Sequence, residues 1–154
     1  MSNFLIFLHS WVRWIILIAV LVSIIRAIAG LSGHKKYVKK DRLWNLIFMI
    51  SMDVQFLIGV ILYFIGGWYK NWGGNIGAMM KNDLLRFFTM EHSLMMIIAL
   101  IITHLGNSLL KKTSVDRKKH RTALIFFGIA FILIIAAIPW PFRVNLGLHP
   151  WFRF

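Results

Sequence analysis

Between Phe4 and Ala29 the chain reads FLIFLHSWVRWIILIAVLVSIIRAIA, an apolar run broken only by His9, Ser10, Arg13, Ser23 and Arg26. About 20 residues of helix cross the hydrocarbon core of a bilayer, so this run is long enough to span it. Three similar runs follow, roughly Leu43 to Ile65, Leu84 to Leu110 and Thr122 to Trp140. The pattern predicts an all-α integral membrane protein: one antiparallel four-helix transmembrane bundle with short connections. The first run lacks a basic leader and exceeds the apolar core of a signal peptide, so it reads as a retained span.

Composition agrees. Of 154 residues, 59% are hydrophobic, and mean hydropathy is +0.73. One bundle fills this length, which leaves no room for a separate soluble domain. The formal charge of +13 sits beside the spans, where anionic lipid headgroups are the nearer partner than nucleic acid. No RNA-binding signature or zinc-finger spacing is present. Without cysteine there is no disulfide, iron–sulfur cluster or covalently attached haem, so any cofactor depends on His, Met, carboxylate or packing.

The basic residues predict sidedness. His34 to Arg42 holds five Lys/Arg and Lys111 to Arg121 holds six, whereas Gly66 to Asp83 holds only Lys70 and Lys81. Short basic loops stay in the cytoplasm, which puts both termini outside and two basic hairpins inside a bacterial cytoplasmic (inner) membrane. Trp68, Tyr69, Trp72 and Trp140 then mark the outer boundary, and Tyr37 and Trp44 the inner one. The Gly66–Gly77 loop, rich in glycine and aromatics, is expected to be irregular. Pro139-Trp140-Pro141 ends the last span. The tail, with Arg143, His149, Trp151 and Arg153, is expected along the outer interface.

Polar groups inside a membrane are costly and mark function or pairing. At 1.5 Å per residue, His9 on span 1 lies about 8 Å, and His92 on span 3 about 12 Å, below the outer boundary. Arg13 and Asp53 fall near the midplane, which invites an ion pair. His9, Arg13, Ile16, Val20, Ser23, Ala27 and Gly30 recur at spacings of three and four and form an inward stripe. Ser51, Gln55 and Gly59 form a shorter one on span 2. Arg26 is expected to snorkel to the headgroups.

Two histidines at matched depth on facing helices suit a b-type haem, with His9 and His92 as axial ligands. Gly59, Ala136 and Ala137 could give it room. Glu91 or Gln55 could accept a ligand ring proton. Arg86, Lys81 and Arg143 are candidates for its propionates. The bland alternative makes His9 interfacial and His92 part of a structural polar network. A second haem is disfavoured, because His92 and His104 stand about 120° apart around the helix and the inner partners His34 and His120 lie in the basic loops. His104 is expected to be a hydrogen-bonded interior or inner-boundary residue. The methionines around span 3 read as adaptable packing rather than copper ligands.

The stretches His9-Ser10-Trp11-Val12-Arg13-Trp14, Asp53-Val54-Gln55 with Gly59 and Leu62-Tyr63, Arg86 through His92 with Met95-Met96-Ile97, and Ile138-Pro139-Trp140 resemble small bacterial four-span membrane proteins catalogued as cytochrome b-like. The resemblance covers nearly the whole chain. It implies His9 and His92 as haem ligands with Arg13 and Glu91 beside them. The expected function is a membrane electron carrier with one bis-His haem, linked to quinol near the outer face. Two other classes stay open: a cofactor-free accessory subunit of a larger membrane complex, and a small proton-coupled transporter using Asp53, Arg13 and Glu91. No motif for hydrolytic or phosphoryl-transfer chemistry occurs.

Overall fold

A computed structural model describes residues 2–147 and residue 151. The expectations for His149 and Arg153 lie outside the described residues. All regular secondary structure among the described residues is helical, and four of the helices are long and apolar enough to cross a membrane. They are α1 (Ser2–Ser32), α2 (Lys39–Ile65), the run Asp83–Lys111, and α6 (Asp116–Ala137). Their N-terminal edges lie one to six residues before the apolar runs, because charged residues such as Lys39, Asp41 and Asp116 join the first turns, whereas α6 ends at Ala137, three residues short of Trp140.

Between α2 and the third long run, the glycine-rich loop is more regular than its composition suggests. A 3₁₀ turn, Trp68–Gly73, leads into α3 (Ile76–Lys81) and then α4 (Asp83–Arg86). Asn75 and Asn82 supply the caps: each side-chain oxygen accepts a backbone N–H at 3.0 Å, from Ala78 and Leu85. α4 passes into a π-helical turn, Phe87–Glu91, and that turn into α5 (His92–Lys111).

The long helices pack in the cyclic order α1, α2, α5, α6, and the α2–α5 seam is the loosest. The stripe read on α1 faces inward, with Ile16, Val20, Ser23 and Ala27 all buried. On α2 the inward stripe is Asp41, Asn45, Phe48, Met52 and Gln55, spaced by three and four; Ser51 is only half-buried. Phe48 and Phe127 meet edge-on at 5.3 Å in the core. Large apolar side chains such as Ile18, Ile25, Leu57, Ile101 and Ile132 point outward. Such a surface is the kind that lipid would satisfy, and all four backbones satisfy themselves as helices.

Candidate functional site

The end of α6 explains how the site is built. The last carbonyls of a helix need outside donors. Pro139 and Pro141 have no N–H, so the carbonyls of Ile135 and Ala137, four residues earlier, lose the partners a continuing helix would supply. Trp140 Nε1 donates to Ile135 O at 2.9 Å, and His92 Nδ1 donates to Ala137 O at 2.7 Å. A carbonyl only accepts, so Nδ1 carries the ring proton and Nε2 keeps its lone pair.

His9 and His92 meet across the bundle, with ring centroids 6.2 Å apart and planes 59° from parallel. Phe87 and Phe88 lie against His92 at 5.8 and 6.3 Å. The Nδ1 of His9 is buried without a hydrogen-bond partner. Gln55 Nε2 donates to the His9 backbone carbonyl at 2.9 Å, while its Oε1 is likewise buried and unpartnered. Gly59 faces the same ring, and a Cβ there would stand 3.3 Å from His9 Cε1. His9, Gln55, Gly59, Phe88 and His92 line a cavity of about 1240 Å³, larger than the roughly 300–1,000 Å³ of most small-molecule sites. Val60 and Phe64 on α2, and Leu94 and Ile97 on α5, line it and are exposed outside, so its mouth lies in the loose seam.

A polar lid lies over this cavity. Tyr63 Oη donates to Thr89 O at 3.1 Å and accepts from Trp72 Nε1 at 2.8 Å; Asn71 Nδ2 donates to Thr89 Oγ1 at 2.7 Å. Trp68 stacks on Phe88 at 5.1 Å. Trp68 and Trp72 are expected from the sequence only as boundary markers, and Tyr63 enters only through the family resemblance. Their polar tips beside Thr89 and Asn71 were the signal that they form a network.

Other expected pairings are corrected. Arg13 does not meet Asp53. Its Nη2 donates to Trp151 O at 2.8 Å and to Ser10 Oγ at 3.3 Å, and the guanidinium stacks over Trp14. Asp53 instead accepts from His104 Nε2 at 2.6 Å. The reason is rotational: Asp53 stands two residues, about 200°, from Gln55, so when Gln55 faces α1 Asp53 faces away from it. His104 is hydrogen-bonded, but outside the core: its side chain is 46% exposed and that of Asp53 41%.

Among the described residues Glu91 serves no histidine. It pairs with Arg86 Nε at 2.7 Å. Arg86 also bonds Asp83 at 2.9 Å and Met80 O at 2.8 Å, so it ties α3, α4 and the π turn together away from the cavity wall. Arg143 donates to Ala136 O and lies over Phe87. Neither it nor Lys81 lines the cavity, and among the described residues Arg13 is the Lys/Arg side chain that does. Arg26 does not snorkel freely; its Nε bonds Asp41 at 2.7 Å. His120 is not a loop residue but is buried in the bundle.

Among the described residues, no group of three or more His, Cys, Asp or Glu could hold a bare metal ion. Two histidines suffice only where the metal brings its other ligands with it, as iron in a porphyrin does. Comparison with protein-family models, with curated proteins and with solved structures returned no match.

Proposed function

We propose that this protein is a b-type electron carrier of a bacterial inner membrane, with one haem held by His9 and His92 near the extracytoplasmic side. The observation that carries the reading is the 6.2 Å separation of the two rings on the wall of a large apolar cavity. Two imidazoles sharing one metal through nitrogens about 2 Å from it stand roughly 6 Å apart, centre to centre. The residues present fit such a group in three further ways. His92 is locked by Ala137 in the tautomer that offers Nε2. Gly59 keeps α2 clear of the His9 ring. Arg13 gives the cavity one cation for a propionate.

When bound, a haem supplies one-electron redox chemistry. The protein's part is to orient the ligand rings, to surround them with aromatic and aliphatic walls, and to admit a partner. The mouth in the α2–α5 seam suits a lipid-soluble quinol, and Gln55 Oε1 is an acceptor for its hydroxyl.

A visible spectrum of the detergent-purified protein, oxidised and then dithionite-reduced, tests this. We expect a Soret band and a sharp α-band on reduction. His9→Ala and His92→Ala remove them, and His104→Ala leaves them in place. A colourless wild type after expression with ample haem refutes the proposal.

One observation favours a second reading, the cofactor-free accessory subunit. The Asp53–His104 pair lies on the outer face of the bundle, where a partner helix could cover it. The transporter reading loses ground, because Arg13, Asp53 and Glu91 each engage a different partner.

A further inference from the structure

At the opposite end of the bundle, the α1–α2 hairpin and the start of α6 enclose a second cavity of about 300 Å³. Its wall carries Arg26, Lys35, Lys36, Asp41 and His120, over a floor at Gly30. The one acid is already satisfied: Asp41 Oδ1 accepts from Arg26 Nε and Oδ2 from Val38 N–H, each at 2.7 Å. Among the described residues Arg26 makes no other ion pair and Lys35 and Lys36 make none. The pocket is therefore a net cation.

His120 is the unusual member. It is 2% exposed, and its Nε2 has no hydrogen-bond partner. Burying a polar atom without a partner is costly, so a partner at this position is favoured. The ring lies so close to α1 that a Cβ at Gly30 would stand 2.4 Å from its Cε1 and Nε2. Only glycine at this position lets the imidazole occupy the pocket wall. Tyr37 holds it from the other side, with ring centroids 5.3 Å apart.

We infer that this pocket binds a phosphate group, with the His120 imidazole as the buried donor and Arg26, Lys35 and Lys36 as its counter-charges. A phosphate presents several strong acceptor oxygens, which match a guanidinium fork, two ammonium groups and one ring N–H. The site lies where two spans end and a basic hairpin begins, the level at which lipid headgroups sit, so an anionic phospholipid such as phosphatidylglycerol is the first source to test. Free phosphate shares the chemistry.

Native mass spectrometry of the full chain in uncharged detergent reads this out, with phosphatidylglycerol and inorganic phosphate titrated in separate arms. We expect one saturable phosphatidylglycerol, bound about tenfold more weakly by K35Q/K36Q. K111Q/K112Q removes the same charge from the other hairpin and is expected to leave binding unchanged. His120→Phe weakens binding while keeping a ring against Gly30. Displacement of the lipid by millimolar inorganic phosphate names free phosphate as the occupant; its failure to displace names the lipid. Equal losses in both double variants, or no saturable binding in either arm, overturn the inference. Neither result bears on the haem, which is read separately by its spectrum.

Discussion

His92 owes its fixed tautomer to the Ala137 carbonyl, which Pro141, four positions on, leaves open. Matched depth made His9 and His92 legible as a pair from residue counting, and the rings do meet. What holds each of them was not legible. Glutamate and glutamine looked like natural acceptors, yet the partner of His92 is a backbone carbonyl, which every residue owns and no composition flags. The clue was available in Pro139 and Pro141, whose missing N–H groups leave specific carbonyls open. Gly59 gives the prediction at this scale. In Gly59→Ala the new methyl stands 3.3 Å from His9 Cε1, so the ring must give by a few tenths of an ångström. A rotamer cost of about 1 kcal/mol weakens haem retention roughly five-fold. The chain still folds, and haem absorbance per protein falls.

Among the elements, spans were legible and the facing of their polar residues less so. Asp53 and Arg13 share a depth, but depth fixes only height along a helix. Rotation fixes the partner, and the buried stripe of Asn45, Phe48, Met52 and Gln55 turns Asp53 towards His104. The π turn before His92 was also invisible, because no residue in Phe87–Glu91 breaks helical pattern. A double-mutant cycle of Asp53→Asn and His104→Ala measures the tie between α2 and α5. Interhelical hydrogen bonds in membranes are worth about 0.6 kcal/mol on average and rarely above 2, and the coupling is expected in that range. At the hairpin, burial above all pushes the Tyr37 hydroxyl above its ordinary range, against the Asn45 hydrogen bond that lowers it. Its folded value is raised, so this stabilisation is complete below the unfolded value of about 10 and is lost as pH rises through the folded one. Tyr37→Phe removes this alkaline component. At neutral pH it also costs about 1–3 kcal/mol, because buried Asn45 Nδ2 loses the acceptor it reaches at 2.8 Å. Denaturant titrations of both chains at neutral and alkaline pH check both effects.

For the whole molecule, the bundle followed from hydropathy alone, and its sidedness is a prediction with a clean test. The chain has no cysteine, so single introduced thiols report without background. A cysteine at Lys36 or Lys118 is expected to resist a membrane-impermeant maleimide in intact cells, and one at Asn75 to react. The reverse pattern would invert the assignment of outside and inside. The loose seam between α2 and α5 carries one more implication. Below its mouth the two helices are stitched by Asp53 to His104 and, a turn further on, by Asn107 Nδ2 to Met49 Sδ at 2.9 Å. That arrangement works like a clothes-peg, sprung at one end and free at the other. A bulky guest would slip in sidelong from the acyl chains, never passing through water, and unpicking the stitch would hasten both its arrival and its escape.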